Sequence, residues 1–260
     1  MAAITYLMYH ELRRANRELC SSAPGYIRYA VAESDFRGQL NFLKLRGFRA
    51  LNVSQALTQT DSKASVVITF DDGCETDLAV AVPALLQCGF NATFYVVTSF
   101  IGRSGYLSAP QLREIVDQGF EIGCHSCSHE NLSNLDAAGL HAEIVVAKAE
   151  LEAVVGCNVR HFSCPGGYWS RRAAHVACHA GFVTMATSRI GRNSAGTNPF
   201  RLARIAMYRD VTLPQFEKIC RGRGILARRS VQSFLNGARM LVGESAYLRI
   251  RKTIQNATVR

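Results

Sequence analysis

Short apolar runs alternate along the chain with longer amphipathic stretches. Runs of four to six residues rich in β-branched and aromatic side chains predict strands at Ile4–Tyr9, Val66–Phe70, Ala92–Val97, Phe120–Gly123, His161–Cys164, Phe182–Ala186 and Leu202–Met207. Between them the apolar positions recur at helical spacing. Ser34 is a candidate cap for a helix carrying Phe36, Leu40 and Leu43, and Ser108 caps a segment with Pro110 and Leu112. Further helices are predicted over Asp77–Cys88, Asp136–Val155 and Ser170–Ala180. Gly89, Gly119, Gly156 and Gly181 stand where helix C-caps belong. Strands alternating with helices over some 200 residues imply a parallel sheet or an α/β barrel.

In such folds the reactive side chains gather at the C-terminal ends of the strands. His10, the pair Asp71–Asp72, His125 and Pro165 each fall just after a predicted strand. Two adjacent carboxylates at the end of a buried strand repel each other, and burial makes each costlier to ionise. A cation nearby, or different tasks for the two groups, would relieve that conflict.

"EIGCHSCSH" supplies His125 and His129, four residues apart. With Asp72 they form a two-histidine, one-carboxylate set suited to one divalent metal, zinc by default, with nickel, cobalt or manganese also compatible. Asp72 then serves as a metal ligand, and Asp71 remains free as general base for an attacking water. The segment "CHSC" is formally a C-x-x-C thiol motif, but a redox reading leaves the paired aspartates and histidines unexplained.

"ITFDDG", "EIGCHSCSH" and "HFSCPGGYW" occur in that order and resemble the first three motifs of the polysaccharide deacetylase (NodB homology) family, carbohydrate esterase family four. The resemblance covers roughly residues 4–207. It implies a distorted (β/α) barrel of about seven strands and metal-dependent hydrolysis of N-acetyl groups on an amino sugar. It makes Asp71 the base and Asp72, His125 and His129 the metal ligands, with the backbone amide of Gly166 helping to hold the oxyanion. Many members carry a late general-acid histidine, whereas the last histidine here is His179. A subgroup places that acid on the first strand, and His10 in "LMYHEL" matches it. The third motif usually carries an arginine two residues before its proline, pairing with the base; Ser163 stands there, which leaves open what orients Asp71. Gly166 also replaces a usual aromatic, so Tyr168 or Trp169 is the candidate sugar-stacking residue.

Charge divides the chain. Residues 201–260 hold 13 Lys/Arg against 3 Asp/Glu, while the first 200 residues balance at 17 against 17. A neutral main body disfavours nucleic-acid binding. The division suggests a catalytic barrel over 1–210 and a basic helical extension over 211–260. Within the extension, Ile225–Val242 has an amphipathic pattern that could lie on an anionic membrane surface or pack on the barrel. Nine scattered cysteines fit free thiols in a reducing compartment, and no run is long enough to span a bilayer, so a cytoplasmic location is expected. The partners expected are therefore an N-acetylated glycan and an anionic membrane surface. The contrasting possibility is a non-catalytic glycan- or membrane-binding module on the same barrel; it would be marked by loss of a metal ligand, and none is lost.

Overall fold

The computed structural model describes residues 3–61 and 63–225. Ten strands are present among them: β1 (Thr5–Tyr9), β2 (Leu12–Arg13), β3 (Val31–Ala32), β4 (Arg49–Leu51), β5 (Ser65–Phe70), β6 (Thr93–Val96), β7 (Glu121–Cys124), β8 (His161–Ser163), β9 (Thr184–Ala186) and β10 (Ile205–Ala206). Seven form one curled parallel sheet in the order β10-β1-β5-β6-β7-β8-β9, and β4 adds to the start of β5. The two ends of the sheet approach each other. Ala186 of β9 bridges Leu202 just ahead of β10, and β10 pairs with β1 through Leu7–Ile205 and Met8–Ala206. This is the expected distorted barrel.

All seven predicted barrel strands exist, most of them shorter than their apolar runs. The run at β8 ends one residue early, at Ser163, and Cys164 opens the loop that carries Pro165 and Gly166 toward the site. The sequence pattern missed β4 and the small β2–β3 pair, whose two or three residues are too short to show alternation.

Strand alternation builds two cores. Inward-facing Tyr6, Val67, Tyr95, Ala186 and Leu202 fill the barrel, and Val53 and Ala56 of the helix Val53–Thr58 close its floor. Outward-facing Tyr9, Phe70 and Phe94 stack successively at centroid separations of 5.3 and 5.1 Å beneath the surrounding helices. Fully burying each such ring contributes about 1.5–3 kcal/mol. Asp71 continues the inward series of Val67 and Thr69, which aims its carboxylate into the barrel mouth.

The helices differ from expectation in detail. The helix Glu33–Leu45 starts after Ala32, with no side-chain cap, so Ser34 lies within its first turn. Ser108 does cap Ala109–Asp117, with Gln111 Oε1 accepting from its backbone N–H at 2.8 Å. Two long predicted helices contain π turns, at Asp77–Ala81 and His141–Val146. The helix Leu213–Cys220 packs on the barrel through Phe216, Ile219 and Cys220. The rest of the amphipathic stretch, from residue 226 onward, lies outside the described residues. No described helix is long and apolar enough to cross a membrane.

Candidate active site

At the C-terminal rim of the barrel, Asp71 and Asp72 follow β5, and His125 follows β7. Backbone bonds carry the sheet register into these loops. Asp71 N–H donates to Tyr9 O at 3.0 Å, and His125 N–H to Val96 O at 2.8 Å. Asp72 (φ 84°), Ser126 (φ 70°) and His129 (φ 65°) adopt left-handed backbone, each costing roughly 1–3 kcal/mol. Among the described residues only one other non-glycine, Asn16, does so. The loop bearing His129 is held by Glu143 from the second π turn. Its carboxylate accepts from Cys127 N (3.1 Å), Ser128 N (2.9 Å) and Ser128 Oγ (2.6 Å).

Asp72, His125 and His129 converge as expected, with one donor atom from each lying within 4.8 Å of the others. His125 Nδ1 lies 2.8 Å from Ser163 O, which can only accept. That bond fixes the tautomer, so Nε2 carries the lone pair. Burial lowers the His125 pKa to about 3, which keeps the ring neutral. Its Nε2 then faces Asp72 Oδ1 at 3.6 Å, and His129 Nε2 faces the same oxygen at 3.5 Å. Asp72 Oδ1 is buried and has no hydrogen-bond partner. Burial raises the Asp72 pKa to about 6, further helped by Asp71. Lone pairs converging on an orphaned buried oxygen are the arrangement a divalent cation would satisfy. The donor set therefore fits a metal ion. His129, exposed at the rim, leaves one side of the site open.

The orientation of Asp71 comes from a residue the sequence reading passed over. Arg204, between Leu202 and β10, is fully buried and spends all five N–H donors in the barrel mouth. Its Nη1 donates to Asp71 Oδ1 (2.6 Å) and Thr69 Oγ1 (3.2 Å). Its Nη2 donates to Asp71 Oδ2 (2.7 Å) and Ser163 Oγ (2.7 Å), and its Nε to Thr187 O (3.1 Å). Ser163, in the position where the family motif has arginine, also donates to Asp71 Oδ2 at 3.3 Å. Burial by itself would raise the Asp71 pKa. The Arg204 charge, then His125, outweighs burial and holds the group below the usual carboxylate range. The arginine that pairs with Asp71 thus comes from just ahead of β10, the strand that closes the barrel, and not from β8. An arginine inside an apolar strand pattern, in "RLARIAMYRD", was the signal available.

Room for this guanidinium traces to one glycine. A Cβ on Gly123 would lie 2.4 Å from the Tyr95 ring, so only glycine lets that ring cross the barrel under Arg204. The guanidinium carbon sits 5.5 Å from the Tyr95 centroid.

His10 also reaches the site. Both aspartates, Arg204 and His129 act on its charge, and burial is the largest influence, lowering its pKa. Its Nδ1 is enclosed without a partner, and its ring lies against Tyr29 at 4.4 Å. Tyr29 in turn meets Tyr208 at 5.0 Å, and Arg28 lies over Tyr208, so an aromatic wall flanks His10. On the other side, Pro165 is buried and Gly166 exposed at φ 58°. The half-open Tyr168 ring covers Gly166, where a Cβ would meet it at 2.7 Å. Trp169 is pinned differently: its indole N–H donates to Phe200 O at 2.8 Å, and Arg201 lies over its ring.

Fold and site together define a distorted parallel barrel of the deacetylase type. The chain belongs to the polysaccharide deacetylase family, whose model matches residues 58–185. A Bacillus subtilis protein whose name places it in the same family is 26% identical over 210 residues, covering 78% of this chain and 71% of its own length. The poly-beta-1,6-N-acetyl-D-glucosamine N-deacetylase of Staphylococcus aureus is 30% identical over 142 residues, 49% of this chain and 49% of that enzyme. Among solved structures, the Streptococcus pyogenes deacetylase PplD in complex with acetate shares the fold. Its TM-score is 0.74 at 22% identity, with 84% of this chain and 98% of that one covered.

Proposed function

We propose that the protein is a metal-dependent N-deacetylase acting on an N-acetylated amino sugar within a glycan. The observation that carries this reading is the convergence of Asp72, His125 and His129 on an orphaned carboxylate oxygen, beside an arginine-clamped Asp71. Asp72, His125 and His129 would hold the ion. When bound, it would supply Lewis-acid polarisation of the acetyl carbonyl and acidify the attacking water.

The chain's own groups do the rest. Asp71, kept ionised by Arg204, accepts the proton of the attacking water. His10, on the opposite side of the aspartate pair in sequence and brought alongside by β1–β5 pairing, protonates the departing amine. The Gly166 N–H donates to the developing oxyanion. The Tyr29–Tyr208 wall and Tyr168 bound the substrate on either side.

The test is acetate release from chitooligosaccharides and from β-1,6-linked N-acetylglucosamine polymer, with and without chelator. Turnover should vanish on chelation and return with a divalent ion. Asp71→Asn should lower kcat by about 10²–10⁴-fold at unchanged metal content. Metal-independent acetate release, or full activity in Asp71→Asn, would overturn the assignment.

A further inference from the structure

A second cluster of reactive groups lies behind the site. Glu11, Cys20 and Cys74 bring a carboxylate oxygen and two sulfurs within 4.8 Å of one another. Cys74 is fully buried at the end of the Asp72–Gly73 turn, whereas Cys20 is half-buried on the segment following β2. Their sulfurs are 3.9 Å apart although 54 residues separate them in sequence.

The surroundings hold the two thiols together. Cys20 N–H donates to Glu11 Oε2 at 2.9 Å, and Cys20 Sγ reaches Glu11 Oε1 at 3.5 Å and Gly105 O at 3.2 Å. Tyr26 hydroxyl bridges Glu11 Oε2 (2.9 Å) and Cys74 Sγ (3.4 Å). Gly105, at φ 86°, is what admits Cys20, because a Cβ there would lie 2.8 Å from its sulfur. Glu11 is already matched by Arg17, Tyr26 and the Cys20 amide, so its charge does not call for a metal ion. Cys20 Sγ also receives Arg17 Nη2 at 3.9 Å, so the same guanidinium faces both Glu11 and the thiol. The hydrogen bond with Cys74, aided by Arg17, holds the Cys20 thiol below its usual range against burial and Glu11, which favours the nucleophilic thiolate.

We propose that Cys20 and Cys74 form a reversible disulfide by exchange with a low-molecular-weight disulfide. Cys20 thiolate attacks one sulfur of the small disulfide and releases one thiolate, giving a mixed disulfide. Cys74 then attacks the Cys20 sulfur and releases the second thiolate. The two cysteines lose two electrons, the small disulfide gains them, and the two cysteine protons end on the released thiols. A disulfide needs about 2.05 Å between sulfurs. The closure falls on the half-buried Cys20 segment, because Gly73 is packed against Val96 and anchors Cys74. The bond staples that segment to the strand end bearing Asp72 and leaves the metal ligands where they are.

The experiment treats the reduced full chain with oxidised glutathione, blocks the remaining thiols with iodoacetamide and maps tryptic peptides without reduction. The expected product links residues 18–28 to residues 64–103, two hydrogens lighter than their sum, with Cys88 alkylated. Its melting temperature rises by about 4–16 °C, as expected for one added cross-link in a chain of this size. Reduction removes the gain, and Cys20→Ser never shows it. Cys74→Ser stops at glutathione on Cys20. Recovery of both cysteines alkylated, or of a stable glutathione adduct on wild-type Cys20, would overturn the proposal. So would the same thermal gain in Cys20→Ser.

Discussion

Replacing Arg204 by methionine tests the link between the closing strand and the proposed general base, Asp71. The substitution keeps much of the side-chain volume but removes five hydrogen bonds and the guanidinium partner of a buried carboxylate. Breaking a buried ion pair from one side costs about 3–5 kcal/mol. For a chain of this size that corresponds to a fall in Tm of about 6–20 °C. The pH dependence has a definite sign. In the wild type, Asp71 has a depressed folded pKa, so it contributes stability above its unfolded value near 3.9, lost as pH falls through the lower folded value. In the variant burial acts unopposed by Arg204. The low-pH loss of stability shrinks, and the acidic limb of the pH–rate profile moves upward. Arg204→Lys keeps the charge without the planar fork and should fall between the two. The double change Arg204→Met, Asp71→Asn removes both charges and should recover much of the stability, with no activity. Thermal denaturation by circular dichroism and acetate release against pH are the assays. A variant with wild-type Tm and an unmoved acidic limb would refute the clamp.

Other expectations concern the rest of the site. His10→Ala should cut kcat by about 10²–10⁴-fold without changing metal content; turnover within a few fold of wild type would remove it as the acid. Glu143→Ala should weaken metal affinity by about 10–100-fold by freeing the His129 loop, measurable by competition with a chromophoric chelator, and unchanged affinity would count against that support. In the metal-free protein, Asp72 with its pKa raised to about 6 contributes stability below its unfolded value that is lost as pH rises from about 4 to 6. A saturating divalent ion should reverse that slope, adding about 2.7 kcal/mol at a hundredfold excess over Kd; identical pH–Tm curves with and without ion would contradict the ligand set.

The barrel was legible because its strands are apolar runs bounded by capped helices, and Gly89 and Gly156 end their helices in the left-handed backbone expected of them. The convergence of Asp72, His125 and His129 was legible because local motifs carry them to the C-terminal ends of β5 and β7. Arg204 was hidden, since its partner lies 133 residues away and meets it only once β10 closes on β1. Periodicity reports the face of a strand, and it is silent on which distant residue shares that face. Tyr29 and Tyr208 were hidden for the same reason. The π turn bearing Glu143 reads as ordinary helix because one extra residue scarcely disturbs an amphipathic pattern.

The placement of Arg204 just ahead of the closing strand bears on how the protein matures. Asp71 is synthesised 133 residues before the guanidinium that keeps it ionised and aimed, which sits just ahead of β10, the partner of β1. Until β10 docks beside β1, Asp71 lacks its guanidinium partner, and a chain ended before residue 204 would hold every proposed metal ligand yet lack an oriented candidate base. On the proposed mechanism, an oriented base therefore awaits ring closure. Acetate release during refolding should lag behind the recovery of helical signal and coincide with burial of the barrel interior, so that enzymatic activity becomes a reporter of the final docking event.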